Sequence, residues 1–167
     1  MSFAEVQENL KANFESVNFS FSSFRDNDRV EVSPGDVLPV LKYLKNVLHF
    51  DMLVDLSAVD YLHYENKPHR YGVWYSLLNT DKNIRIIVKT HLDDPDPSIG
   101  SVFELWKGCD WMEREVYDMY GIEFDGHPDL RRILLPDEFT AFPLRKDYPL
   151  RGMGERHNFQ PLIRSKA

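Results

Sequence analysis

Half of the ten prolines lie in the last 41 residues: Pro128, Pro136, Pro143, Pro149 and Pro161. A proline fixes φ and has no backbone N–H, so this spacing denies the segment long helices and central strands. Upstream of Gly126, periodic apolar patterns run with few interruptions. The division predicts a folded body over residues 1–126 and an extended arm over 127–167.

Within the body, Ser2 and Glu5 have capping-box spacing, and Val6, Leu10 and Phe14 follow at helical intervals. Alternation then takes over through residues 17–24, with Val17, Phe19 and Phe21 on one face, which is a strand pattern. Arg25 to Arg29 reads as a charged turn, and Arg29–Val32 as the return strand of a hairpin. Ser33, Pro34 and Asp36 open a second helix, whose stripe is Val37, Leu41, Leu44 and Leu48. Three strand-like runs follow at Met52–Tyr61, Arg70–Asn79 and Ile84–His91, parted by turns at Asn66–Pro68 and Asp81–Asn83. After the break DDPDP at 93–97, Asp96 or Ser98 is placed to cap a short helix running to Trp106. A further helix is expected over Trp111–Tyr120, ended by Gly121 in the left-handed conformation, with Met112, Val116 and Met119 toward the core. The order of helix, two strands, helix and three strands predicts an α+β, two-layer sandwich. It has one mixed sheet with helices on a single face, plus the extended C-terminal arm.

The arm's composition poses a problem of burial. It holds Leu130, Ile133, Leu134, Leu135, Phe139, Phe142, Leu144, Tyr148, Leu150 and Phe159, more apolar surface than a solvated tail retains. Such side chains are covered either by the chain's own body or by another protein, and composition favours neither. Charge separates the two parts: eight Lys/Arg against five Asp/Glu give residues 127–167 a net +3, leaving −10 for the body. A cationic, proline-punctuated arm on an acidic body looks built for a partner.

The residues that could carry chemistry are few. The overall charge of −7 argues against nucleic-acid binding, which needs cations to neutralise phosphates. The single cysteine, Cys109, permits no intramolecular disulfide and cannot supply the four thiolates of a cysteine-held iron–sulfur cluster; beside Trp111 it is read as a packed core residue. His63, His69 and His127 lack a second ligand at metal-binding spacing, and His127 is read as shaping a turn or donating a buried hydrogen bond. No Gly-rich phosphate cradle is present. Glu113, Arg114 and Glu115 alternate in sign on a helix, as solvated or ion-paired faces do. Arg131–Arg132 and Arg145–Lys146 could clamp an anion, although nearby acids make ion pairing the simpler expectation. No catalytic, cofactor-binding or metal-binding residue is expected. No stretch reaches the roughly 18 apolar residues of a membrane span. The N-terminus has neither the apolar core of a signal peptide nor the arginines of a transit peptide, so membrane association is expected only through a partner.

Residues 113–133 read EREVYDMYGIEFDGHPDLRRI, followed by LLPDEF and PLRKDYPLRG. This resembles the signature of the C-type subunit, the 30-kDa class, of respiratory complex I. The long polar pattern is met at Glu113, Arg114, Glu115, Asp118, Met119, Tyr120, His127, Arg131 and Ile133. A second block, Pro143-Leu144-Arg145-Lys146-Asp147-Tyr148-Pro149, is similar too. The likeness runs more loosely upstream through residues 55–61 and 98–111; one departure is Thr140-Ala141-Phe142, where relatives commonly carry a glycine.

The resemblance implies a non-catalytic structural and assembly role in the peripheral arm of a proton-pumping NADH:quinone oxidoreductase. The chain would sit peripherally on the cytoplasmic side of the cell inner membrane and support electron transfer without handling electrons. NADH, FMN, the iron–sulfur clusters and quinone would belong to the rest of the complex. The arm would embrace the D-type subunit, beside the B-type subunit, which turns the open question of its burial toward a partner. Glu113, Arg114, Glu115 and Asp118 would pair with Arg131, Arg132 or partner charges. His127, Pro143, Arg145, Lys146, Asp147 and Tyr148 complete the implied interface. Two other readings stay open: the equivalent subunit of a membrane-bound hydrogenase or another complex I relative, and a free-standing anion-binding module.

Overall fold

The computed structural model describes residues 1–155. Arg156, Phe159, Pro161, Arg164 and Lys166, all in the expected arm, lie outside the described residues. Helix α1 spans Phe3–Asn13, and its capping box forms as expected: Ser2 Oγ accepts from the Glu5 N–H and the Glu5 carboxylate from the Ser2 N–H. Val6 and Leu10 are buried. Strands β1 (Ser20–Phe24) and β2 (Asn27–Glu31) make the hairpin. The expected turn over Arg25–Arg29 is too long. Only Arg25 and Asp26 turn, both at positive φ, and the strand resumes at Asn27. Two-residue connections match the right-handed twist of paired strands, and the Asn27 side chain holds this one by donating to the Phe24 and Arg25 carbonyls.

Helix α2 (Pro34–Asn46) buries Val37, Val40, Leu41 and Leu44. Leu48 falls just beyond its end and packs against the core edge. Strands β3 (Met52–Asp60), β4 (Tyr71–Asn79) and β5 (Ile84–Leu92) form an antiparallel meander. The sheet order is β1-β2-β5-β4-β3, with β2 parallel to β5, so the sheet is mixed. In register across it, Val30, Val88, Tyr75 and Leu56 are all buried, whereas the neighbouring row of Glu31, Lys89, Trp74 and Ser57 is not. One face therefore packs under the helices and the other is only partly covered, the two-layer α+β arrangement that the element order implied.

The helix expected between Ser98 and Trp106 does not form. Ser98–Gly100 is strand β6 instead, parallel to β7 (Glu123–Asp125) in a second small sheet. Tertiary bonds capture this segment: the Val102 N–H and Ser101 hydroxyl donate to Glu113, and the Trp106 indole N–H donates to the Asp51 carbonyl. A short 3₁₀ turn at Lys107–Cys109 leads into helix α3 (Asp110–Tyr120), which ends at Gly121 with φ +71°. Cys109 is buried in the core, and burial pushes its thiol pKa up, away from the reactive thiolate.

Candidate functional site: the seam between helix α3 and the arm

Helical spacing predicts that α3 presents Met112, Val116 and Met119 to the core. Val116 is buried, but Met112 and Met119 are only half-buried, and the other buried residues of the helix are the acids Glu113 and Asp118. The expectation of one solvated, ion-paired face at Glu113, Arg114 and Glu115 is thus wrong at its first member. It fails because β6 and the loop behind it cover that end of the helix and bring donors with them.

Glu113 Oε1 accepts from the Val102 N–H at 2.7 Å and Oε2 from the Ser101 hydroxyl at 2.6 Å. Burial raises its pKa above the usual carboxylate value, and these bonds only partly offset it. The His127 side chain is also fully enclosed. Its Nδ1 accepts from the Asp129 N–H at 3.1 Å, so it shapes the turn at the root of the arm, as expected. Its Nε2 lies 3.3 Å from Asp110 Oδ1 and 3.8 Å from Glu113 Oε2.

Asp118 is the hub of the seam. Its Oδ2 accepts from three successive arm amides, Ile133, Leu134 and Leu135, at 3.1, 2.8 and 2.9 Å. Its Oδ1 accepts from Arg132 Nη1 at 2.7 Å. Burial acts to raise its pKa, but the amides of Leu135, Leu134 and Ile133 together with Arg132 outweigh it, and the carboxyl sits below its ordinary value. Arg132 also donates to the Asp118 and Ala141 carbonyls, and Arg114 to the carbonyls of Arg131 and Arg132.

A second anchor stands at the end of β3. Asp60 Oδ2 accepts from the Lys146 N–H at 2.8 Å, and Oδ1 from the Leu62 N–H at 2.9 Å. Arg70 bridges Asp60, Asp94 and Asp147, and its hydrogen bond holds the Asp147 carboxyl below the usual range. Arg145 donates to the Tyr120 carbonyl and lies over the rings of Phe142 and Tyr71. Phe142 packs where a side chain on Gly121 would stand, 2.5 Å from a Cβ built there, so only glycine permits both the positive φ and the ring.

The implied interface residues therefore divide. Arg114, Asp118, Arg132, Arg145 and Asp147 are tied into the seam, whereas Glu113 and His127 sit in a separate buried cluster. Lys146 contributes its backbone: its N–H binds Asp60 and its carbonyl meets His63 Nε2 at 3.2 Å. Pro143 is half-buried in the turn, and the Tyr148 ring leans on Phe139 at 6.0 Å. Glu115 is exposed, and Arg131 is exposed too, pairing with Asp129. The three arginines that could have clamped an anion, Arg131, Arg132 and Arg145, are each engaged within the chain.

Sequence reasoning passes over Asp60 and Arg70. A signal for Asp60 exists, because Leu56, Ala58 and Asp60 share one face by simple alternation, which buries the acid and demands partners. Nothing local marks Arg70.

The arm is covered unevenly. No residue of 127–155 is wholly buried, backbone included. Leu130 packs on the core and Ile133, Leu135, Phe139 and Phe142 are half-buried, but Leu134, Leu144, Leu150 and Met153 stand in solvent, Leu134 with 62% of its surface accessible. The chain's own body answers the burial question only in part: the backbone is pinned to it, and apolar side chains are left over. Among the described residues no group of His, Cys, Asp and Glu is arranged to hold a metal ion, and no helix is long and apolar enough to cross a membrane.

Comparison with known proteins gives this seam its context. The family model of the respiratory-chain NADH dehydrogenase 30 Kd subunit matches residues 30–154. The C-type subunit of the NADH-quinone oxidoreductase of Citrifermentans bemidjiense is 43% identical over 143 residues, covering 86% of this chain and 87% of its own. A mitochondrial NADH-ubiquinone oxidoreductase 30.4 kDa subunit from Neurospora crassa is 42% identical over 81% of this chain and 47% of its own. Among solved structures, the trypsin-resistant fragment (1-134) of Nqo5 superposes with a TM-score of 0.68 at 29% identity, over 78% of this chain and all of the fragment. A chain of an archaeal membrane-bound sulfane sulfur reductase shares the fold, with a TM-score of 0.75 at 19% identity over 98% of this chain and 95% of its own. With the family match running from the hairpin's second strand through both anchors of the arm, this chain belongs to the 30-kDa subunit family of respiratory-chain NADH dehydrogenase.

Proposed function

We propose that the chain is the C-type subunit of a proton-pumping NADH:quinone oxidoreductase, a non-catalytic docking and assembly component of its peripheral arm. Residues 1–126 form the body and 127–167 the docking arm. The arm lies chiefly against the D-type subunit, beside the B-type subunit, and through them the chain is held at the cytoplasmic side of the cell membrane. NADH, FMN, the iron–sulfur clusters and quinone are bound elsewhere in the complex.

One observation carries the docking role. Backbone bonds to Asp118 and Asp60 already hold the arm in shape, yet Leu134, Leu144, Leu150 and Met153 remain uncovered. An arm ordered in advance loses less conformational freedom on binding, which strengthens association without added contacts. The exposed leucines supply the apolar centre that interfaces need, and exposed Glu115 and Arg131 supply rim charges that set register.

The test is a pull-down of the tagged chain from native membranes with identification of the co-purifying proteins. The D-type and B-type subunits are expected with the native chain. Leu134→Ser with Leu150→Ser should leave the chain folded while depleting it from the complex by at least about tenfold. A normally assembled complex whose turnover alone has slowed would refute the docking role. Recovery of hydrogenase components instead would assign the chain to that branch of complex I relatives.

A further inference from the structure

The face of the sheet away from the helices carries a feature that the docking role leaves unused. A cavity of about 470 Å³ opens there, walled by Arg29, Tyr61, Lys67, Trp74, Ile87 and Lys89 among others. That volume falls within the range of small-molecule sites. Its lining comes from all five strands of the large sheet and the loop after β3. Arg29 and Ile87 are neighbours in one row across the sheet, and Glu31, Lys89 and Trp74 stand in the next.

Two things about it are unusual. The first is charge. The Lys67 and Lys89 ammonium groups lie 5.3 and 5.0 Å from the centre of the same ring, Tyr61. Each gains from the ring's negative face, but together they repel. The one carboxylate in the lining, Glu31, is 4.0 Å from Lys89 and already bonded to His91. Arg29 and Lys67 make no ion pair among the described residues. Three cations thus line the cavity with one acid, Glu31, whose pKa Lys89 and Lys67 help to lower, on a body whose net charge is −10. A concave wall with an excess of one sign focuses the field on whatever enters it.

The second is shape. The Tyr61 ring lies directly on Gly72 of β4: a Cβ built there would stand 2.8 Å from Tyr61 Cε2 and 3.2 Å from Lys89 Cε. The backbone of Gly72 is not in the left-handed region, so its conformation does not require glycine. The absent side chain leaves room for the ring and the lysine stem that form the cavity wall.

We propose that this cavity binds a small organic anion, a phosphate or carboxylate joined to a flat apolar body. The acid group sits among Arg29, Lys67 and Lys89, and the body rests on Trp74, Ile87 and Val59. The concavity bounded by Tyr61 and Lys67 favours a small ligand over an extended acidic stretch of a partner protein.

The test is an amide and indole NMR titration of the full chain at low salt with phenyl phosphate, inorganic phosphate, phenol and a glutamate oligomer. Phenyl phosphate is expected to move the Gly72 amide and Trp74 indole signals saturably, binding at least about tenfold tighter than inorganic phosphate or phenol. Lys67→Met with Lys89→Met, and separately Gly72→Ala, should each weaken it at least about tenfold and leave the arm amides in place. Three results would overturn the assignment: no saturable shift up to about 10 mM, equal binding of phenyl phosphate and phosphate, or binding that survives both sets of substitutions. Tighter binding of the glutamate oligomer would overturn it too, reassigning the surface to an acidic protein partner.

Discussion

Replacing Asp118 with asparagine keeps the shape of the hub and removes its charge, which isolates what holds the arm. The native carboxylate accepts four bonds, three from the amides of residues 133–135 and one from Arg132, with no side-chain exposure. A hydrogen bond to a charged group contributes about 1.5–3 kcal/mol, and breaking one side of a buried pair costs about 3–5 kcal/mol. Asparagine retains one oxygen. If that oxygen faces the amides, its NH₂ confronts Arg132; if it faces Arg132, its NH₂ confronts three amide donors. Either orientation leaves buried donors unpaired, so D118N should cost about 2–4 kcal/mol. Because Asp118 joins the arm to α3 and not the sheet to the helices, the loss should be local. Hydrogen exchange at Ile133, Leu134 and Leu135 should quicken by about 30- to 1,000-fold, since each 1.4 kcal/mol is tenfold. The amides of Tyr75 and Val88, in the central strands, should be unaffected. Equal acceleration in arm and core, or none in either, would show that the four bonds do not hold the arm as described.

Acid should loosen the arm by the same route. The carboxyls of Asp118 and Asp147 have lowered pKa values in the folded chain, so their stabilisation is present above the unfolded value of about 3.9 and lost as pH falls through the folded one. Glu113 has the opposite sign: its raised pKa contributes below its unfolded value and is lost as pH rises through the folded one. Limited proteolysis across pH should therefore find cleavage after residue 126 appearing in acid before the body opens; simultaneous cleavage of both parts would contradict this. At Glu113 itself, Gln should change denaturation stability by no more than about 1 kcal/mol, since its carbonyl can take the Val102 N–H while the Ser101 hydroxyl turns to accept from its NH₂. Ala, which strands the Val102 N–H and Ser101 hydroxyl, should cost about 2–4 kcal/mol. Equal effects of the two substitutions would refute the burial account.

Local chemistry written along the chain decided a good deal by itself. The capping box at Ser2 and Glu5, the apolar stripes of α1 and α2, the alternation in β3 to β5 and the glycine after α3 each act over a few residues. Each is therefore readable without knowing the fold. Among the described residues no helix or strand follows Asp125, in the stretch where the prolines cluster. What local pattern could not show was the fate of residues whose partners are remote. Glu113 resembles any charged residue on a helix until Ser101 and Val102 close over it, and Asp118 until the arm's amides reach it from 15 to 17 positions away. Ser98–Gly100 is a strand only because Glu123–Asp125 lies beside it. A buried charge persists only where its hydrogen-bond partners converge, and that convergence belongs to the tertiary structure.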